Sequence, residues 1–141
     1  MKLVTTIALA AVALMTTGCG GSTGPSNASF AAKADAICAS TLNAAGGKLS
    51  GSETVAAVQS EEALRSTAIT KFQALSPPLD RGPAFQAFLY EVESVQSLLR
   101  QLAGAATAHE HARIESIEAQ VRGVEIKAKT SATEAGLEGC E

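Results

Sequence analysis

Residues 85–106 read FQAFLYEVESVQSLLRQLAGAA and contain the clearest periodic pattern in the chain. Apolar residues recur there at alternating gaps of three and four, at Phe85, Phe88, Val92, Val95, Leu99, Leu102 and Ala106. This alternation is typical of a helix that packs along one narrow seam of a helical bundle. Pro83 suits the first turn of such a helix, because its missing N–H has no partner to lose there.

The segment that follows repeats the same alternation and predicts a second long helix. Its apolar stripe consists of Ile114, Ile117, Val121, Val124, Ala128, Ser131 and Ala135. Thr107 and Glu110 have the spacing of a capping box, and Gly136 suits the C-cap. Two ion pairs at i,i+4 spacing are expected on its outer face, Glu118 with Arg122 and Glu125 with Lys129. The alternative is one continuous helix that includes both segments.

Two further helices are predicted before Pro77 and Pro78, which end helical structure. Ser29 is the expected N-cap of the first, whose apolar residues are Phe30, Ala34, Ile37, Cys38 and Leu42. The second includes the segment 52–75, which contains no Gly or Pro. Glu62 and Arg65 interrupt its apolar stripe and are expected to pair with each other.

Composition agrees with a helical protein of modest size. The chain has 141 residues, of which 46% are hydrophobic and 4% aromatic. We therefore expect an all-α fold, a small four-helix bundle that runs up and down with antiparallel neighbours because the connections are short. The formal net charge is -3, and no block of basic residues is present, which argues against nucleic-acid binding.

The first 18 residues have the three-part order of a signal peptide. Lys2 precedes an apolar run from Leu3 to Met15, and small residues follow. As a helix this run is about 20 Å long, too short for a hydrocarbon core of about 30 Å. The expected organisation is a signal peptide over residues 1–18, a flexible Gly- and Ser-rich linker over residues 19–28, and the bundle domain over residues 29–141.

The end of this segment, Thr16-Thr17-Gly18-Cys19, resembles a bacterial lipobox. The resemblance implies transfer of a diacylglycerol to the thiol of Cys19 and cleavage before Cys19, with palmitate among the acyl chains of the anchor. The mature protein is then anchored by lipid to the cell membrane, on its extracytoplasmic face. The alternative is an ordinary secretory signal and a secreted protein.

The chain has three cysteines. If Cys19 carries lipid, Cys38 and Cys140 remain as an even pair in an oxidising compartment, where a disulfide between them is expected. The alternative is two unpaired thiols in the core.

Three short elements of the chain also resemble a known group of proteins. They are Lys33-Ala34-Asp35-Ala36-Ile37-Cys38, Leu75-Ser76-Pro77-Pro78 and Gly136-Leu137-Glu138-Gly139-Cys140. Together they resemble small Ala-rich actinobacterial lipoproteins and secreted proteins of unknown function. The resemblance implies that the first and last elements hold the disulfide partners, and it implies no activity.

No arrangement of residues predicts catalysis, and we expect neither enzymatic activity nor a cofactor. His109 and His111 are the candidate metal ligands, although side chains two positions apart on a helix point about 200° from each other. Glu62 and Arg65 are the candidate ligand-binding residues. The sequence thus predicts a non-catalytic cell-envelope lipoprotein that acts as a binding or structural module for a protein or envelope partner. The alternative is an extracytoplasmic carrier or sensor that holds a small ligand or metal inside the bundle.

Overall fold

The computed structural model describes residues 25–45 and 55–140, and residues 1–24, 46–54 and 141 lie outside the described part. Helix α1 (Asn27–Ile37) continues through a π-helical turn (Cys38–Leu42) and a short helical turn (Asn43–Ala45). Helices α2 (Val55–Gln73), α3 (Gly82–Thr107) and α4 (His111–Ala135) follow, and a 3-10 turn (Glu138–Cys140) ends the described chain. Neither described range contains a strand, which confirms the all-α four-helix prediction.

The helices run antiparallel to their neighbours, as predicted. Between α2 and α3, the Gln73 amide donates to Glu93 at 3.0 Å and the Arg100 guanidinium donates to Glu62 at 2.8 Å, so the numbering rises along one helix as it falls along the other. Helix α4 follows α3 after residues 108–110. Arg81, which precedes α3, donates to the carbonyl of Glu134 near the end of α4 at 3.0 Å.

The apolar side chains form two core clusters. The first core cluster lies at the end of the bundle that contains α1, and the rings of Phe30, Phe72 and Phe88 surround Phe85 with centroids 5.0 to 6.4 Å from it. The second core cluster fills the other end with Val58, Val95, Leu99, Leu102, Ala105, Ile117 and Val121. Residues of both α3 and α4 contribute to these clusters at most of the predicted positions, but Ala105 is buried in place of the predicted Ala106. Burial of this apolar surface supplies the main driving force for the fold.

Helix α4 ends as its sequence predicts. Gly136 has φ 73°, a left-handed conformation that L residues rarely adopt. The N–H groups of Gly136 and Leu137 donate to the carbonyls of Thr133 and Ala132 at 3.0 and 2.9 Å, which is a Schellman motif. This reversal sends Leu137 into the first core cluster.

The predicted start of α1 is wrong by one turn. The cap is Ser26, whose Oγ accepts from the N–H of Ser29 at 3.2 Å, so Ser29 lies inside the first turn. The bond from the N–H of Phe30 to the carbonyl of Ser26 at 3.0 Å closes that turn. Helix α1 therefore begins at Asn27, within the segment 19–28 predicted as a linker.

The predicted capping box at the start of α4 is also wrong. The hydroxyl of Thr107 donates back to Ala103 at 2.8 Å and completes the last turn of α3, while Glu110 accepts from Arg113 at 3.1 Å. His109 adopts φ 56° between the helices. This break at residues 108–110 excludes the alternative of a single continuous helix.

The described helices include none with the length and hydropathy that crossing a bilayer requires.

Candidate functional site

A buried guanidinium joins α2 to α4. The Nη2 atom of Arg65 lies 2.9 Å from Oε1 of Glu61, one turn earlier on α2, and 2.9 Å from Oε1 of Glu125 on α4. The Arg65 and Glu61 side chains are 8% and 7% exposed, whereas that of Glu125 is 40% exposed. On α2, Arg65 lies between Val58 of the second core cluster and Ala68 of the first. We call Glu61, Arg65 and Glu125 the ion triad.

Glu62 and Arg65 do not pair with each other, so that prediction is wrong. Glu61 is four residues before Arg65, on the same face of the helix, and accepts from both Nε and Nη2. Glu62 instead reaches Arg100 of α3 at 2.8 Å. The two candidate ligand-binding residues therefore lie in separate ion pairs, each of which joins α2 to a different helix.

The outer-face placement of Glu118 and Glu125 on α4 is also wrong. Glu118 is 8% exposed, and Glu125 faces Arg65. Both residues flank the apolar stripe, and α4 packs against α3 along that stripe while the Arg65 guanidinium of α2 reaches it through Glu125. A helix that contacts two neighbours buries residues on the flanks of its apolar stripe, which would be solvent-exposed if it contacted one neighbour only.

The two histidines lie at the turn between α3 and α4. His109 is in the left-handed turn position and His111 is the first residue of α4, and both are exposed. Within residues 25–45 and 55–140, no group of three or more His, Cys, Asp or Glu side chains has the arrangement of a metal site.

The predicted disulfide is present. Cys38, in the π-helical turn after α1, is bonded to Cys140 with their Cα atoms 5.2 Å apart and 102 residues apart in sequence. Cys38 is fully buried in the first core cluster. The predicted lipid site, Cys19, lies outside the described residues, as does the predicted signal peptide.

The turn that contains Cys140 is held by side chains as well as by the disulfide. The N–H of Gly139 donates to Oδ1 of Asp35 at 3.0 Å, and Nδ2 of Asn43 donates to the carbonyl of Gly139 at 3.2 Å. Asp35 belongs to the element 33–38 and Gly139 to the element 136–140, the first and last of the three elements that carry the family resemblance. Asn43 completes the clamp, although no pattern in the sequence pointed to it. We call Asp35, Asn43 and Gly139 the terminal clamp.

Gly139→Ala is expected to destabilise the protein by about 1 to 3 kcal/mol, because overpacking a close contact forces side chains or backbone to move. A Cβ at this position would lie 2.8 Å from Cβ and 3.1 Å from Cα of Asp35. Urea unfolding followed by circular dichroism measures the effect.

Gly123→Ala is the matched control. Gly123 is in the exposed interior of α4, and a Cβ there meets nothing within 4 Å. Alanine is the better helix former by about 0.8 to 1.0 kcal/mol, so this variant is expected to gain stability. Equal changes in both variants would contradict the close contact at Gly139.

A shallow concavity lies between α2 and α3. Its volume is about 380 Å3, and its lining is Gln73, Gln86, Leu89, Tyr90 and Glu93. Tyr90 is 70% exposed, and the amide of Gln73 already donates to Glu93 within the lining. Two amides, a phenol and a carboxylate can hydrogen-bond a surface ligand, but none of these groups is a nucleophile paired with a base.

Glu91 of α3 has a carboxylate that is partly enclosed by the fold. Its Oε2 atom is buried and has no hydrogen-bond partner among the described residues. The sequence favours a solvated position for this carboxylate, whereas the side chain is half-buried. Buried polar atoms of this kind are usually satisfied by water.

Comparisons with protein-family models, with curated proteins and with solved structures found no match to this chain.

Proposed function

We propose that this chain is a non-catalytic cell-envelope lipoprotein. Lipid on Cys19 holds a disulfide-stapled helical bundle at the extracytoplasmic face of the cell membrane, and the bundle is a binding or structural module for a protein or envelope partner. The observation that carries the proposal is the disulfide between Cys38 and Cys140. Structural disulfides persist in oxidising compartments and are rare in the cytosol, so this bond supports export.

The position of the disulfide also suits a protein tethered by its N-terminus. Any pull on residues before Asn27 acts first on α1, which is the first described helix. The bond joins the end of that helix to the last turn of the chain, and Phe30 and Ala34 pack in the first core cluster. The tethered end is therefore fixed to the bundle by covalent and apolar contacts together.

The same contacts favour a surface role over a carrier that uses the bundle interior. Such a carrier needs polar groups that are free to bind a ligand, and Glu62 and Arg65 were the candidates. Both hold ion pairs that join helices, with Arg100 and with Glu61 and Glu125. Leu79 and Tyr90, by contrast, are 99% and 70% exposed and offer apolar and aromatic contact area at the surface.

Metabolic labelling with an alkyne analogue of palmitate tests the anchor. The wild-type protein is expected to incorporate the label and to sediment with membranes, whereas Cys19→Ala is expected to lose the label and leave the membrane fraction. The reason is that stable attachment needs more than one acyl chain, and all of the expected chains depend on this cysteine.

The matched control is the double variant Cys38→Ala/Cys140→Ala, which retains Cys19 and should label as the wild type does. Full labelling of Cys19→Ala would refute the lipid site. Labelling that falls equally in the control would show that the label reports the level of folded protein and not the acylation of Cys19.

A further inference from the structure

The solvent-facing side of α4 has a pattern of its own. Ala119, Gly123, Ile126 and Thr130 follow one another at gaps of four, three and four, so they form one line along the helix. All four residues are exposed, and Ile126 is one of the most exposed large apolar residues at 68%. This line is uncharged and lies opposite the core stripe.

Basic side chains flank this line on both sides. Arg122 and Lys129 lie on one side of Ile126 and Lys127 on the other, at successive rotations of about 100° per residue. All three are exposed, and none has an ion-pair partner among the residues that the structure describes. Glu125 is the only acidic residue from 119 to 133, and it faces Arg65. We call Arg122, Ile126, Lys127 and Lys129 the basic face.

The basic face brings three cations without ion-pair partners together on one helix. The formal net charge is -3, and Arg65, Arg81, Arg100 and Arg113 each lie in an ion pair. Lys33 on α1 and Lys71 on α2 are also exposed and outside these ion pairs, but each lies singly on its helix. An exposed apolar side chain between unpaired cations is the arrangement by which helices lie at the surface of an anionic bilayer. The alkyl group enters the headgroup region while the cations reach the phosphates.

The chain enters the bundle near the C-terminal end of α4, the helix that contains this face. Nδ2 of Asn27 lies 3.1 Å from Oδ2 of Asp80, and the next residue, Arg81, donates to the carbonyl of Glu134 at 3.0 Å. Lys129 precedes Glu134 by about 7.5 Å along α4 and Arg122 by about 18 Å. The seven Cα–Cα steps from Cys19 to Ser26 reach about 25 Å at full extension. A lipid on Cys19 would thus keep the whole basic face within reach of the headgroups.

We propose that the basic face docks on anionic lipid headgroups of the membrane that holds the anchor, so that α4 lies along the bilayer surface. The inference rests on the proposed function, because it takes Cys19 as the lipid site. Docking fixes the orientation of the bundle and directs the side opposite α4 away from the membrane, toward partners.

The expected strength follows from the charges and the exposed isoleucine. Each basic side chain near an anionic leaflet raises the partition constant of the protein from water onto the membrane about fivefold. Three such side chains raise it about 100-fold. Burial of Ile126 adds about tenfold. A short tether supplies an effective concentration of about 1 mM. With a reference partition constant of about 1 M−1 for a surface without these side chains, these values leave about half of the anchored molecules docked.

Amine reactivity of the lipidated protein in vesicles tests this directly. The protein is reconstituted in phosphatidylcholine alone or in equal parts of phosphatidylcholine and phosphatidylglycerol, and acetylation of each lysine is followed by mass spectrometry. Lys127 and Lys129 are expected to react about twofold more slowly in the anionic vesicles. Lys71, exposed on α2, is the internal control and should react equally in both. The variant Arg122→Gln/Ile126→Ser keeps both reporter lysines and should lose their protection.

Equal reactivity of Lys127 and Lys129 in the two kinds of vesicle would overturn the proposal. Protection that extends equally to Lys71 would also overturn it, because it would not be specific to this face. If the lysines are protected in intact cells but in neither vesicle, the face belongs to a protein partner, and the lipid proposal is wrong.

A second arm separates this inference from the lipid anchor. Residues 19–141 with Cys19→Ser contain every described helix and carry no lipid, and their flotation with the anionic vesicles is measured at low salt. Arg122→Gln/Lys127→Gln/Lys129→Gln should lower partition about 100-fold. Lys33→Gln/Lys48→Gln/Lys71→Gln removes equal charge and should lower it by less than about fivefold.

If the protein from cells lacks lipid but the first triple variant still loses partition selectively, the anchor proposal fails and the docking proposal stands. Equal losses in the two triple variants would overturn the docking proposal whatever the state of Cys19.

Discussion

Replacing Cys38 and Cys140 together by alanine is expected to lower the free energy of unfolding by about 3 kcal/mol. The bond closes a loop with a sequence separation of 102, which restricts the unfolded chain, and the chain-entropy account gives up to about 4.7 kcal/mol for a loop of this length. The loss is a large fraction of the 5 to 15 kcal/mol typical of a small domain. Guanidinium unfolding of residues 19–141, with Cys19→Ser in every variant, measures it.

The reductant supplies the control for this prediction. Wild-type protein with the disulfide reduced should unfold near the midpoint of the double variant, since both lack the same bond. The single variant Cys140→Ala should do the same, because Cys38 is then an unpaired buried thiol, which behaves as a small apolar group. A midpoint that does not respond to reductant would contradict a stabilising disulfide. Membrane attachment of the full protein should be unchanged in all of these variants.

Arg65→Ala is expected to cost about 3 kcal/mol of stability. The substitution leaves the Glu61 carboxylate, 7% exposed, without the guanidinium that faces it, and breaking a buried ion pair from one side typically costs 3 to 5 kcal/mol. The value lies at the low end because the third member, Glu125, is 40% exposed and water screens it. Thermal and urea unfolding of the variant give the change.

Arg100→Ala is the matched control. It removes the same kind of side chain from an ion pair between helices, but Arg100 is 61% exposed, so about 0.5 kcal/mol is expected. The double variant Glu61→Leu/Arg65→Met tests the cause, because it removes the buried charge as well as its partner. It should recover most of the stability lost in Arg65→Ala. Equal costs for Arg65→Ala and Arg100→Ala would contradict a buried ion triad.

The parts of the fold that the sequence predicted are those with a strong local signal. The three-four alternation from Phe85 and from Ile114 predicted α3 and α4, because a long amphipathic stripe must face a partner in any compact fold. Gly136 was predicted as a C-cap because its position after the last apolar residue favours a left-handed turn. The two cysteines predicted the disulfide because their number and the expected oxidising compartment left one economical pairing.

The errors arose where several local choices have nearly equal energy. Ser26 and Ser29 are both good N-cap residues. Ser26 is the cap because the helix gains one more turn, closed by the bond from the N–H of Phe30 to the carbonyl of Ser26. Thr107 can either cap α4 or complete the last turn of α3. Because the helix breaks at His109, Thr107 completes the last turn of α3. A sequence pattern alone does not rank such alternatives.

The candidate site depended on contacts between distant parts of the chain. Glu61 and Glu62 are adjacent in sequence, and which of them meets Arg65 depends on where α3 and α4 lie around α2. Asp35 and Gly139 are 104 residues apart in sequence. The two short elements that contain them could be recognised from the sequence, but the hydrogen bond between them could not be predicted. The cations of the basic face could be identified as unpaired only once α4 was packed, because Arg122 and Lys129 had been expected to pair with Glu118 and Glu125.

Mass spectrometry of the protein extracted from membranes and digested without reduction examines the anchor and the disulfide in one measurement. We expect an N-terminal peptide that begins at Cys19 and carries diacylglycerol, together with a linked peptide that joins Cys38 to Cys140. An unmodified Cys19, or free thiols at Cys38 and Cys140, would contradict the account of a disulfide-stapled bundle held at the membrane by lipid.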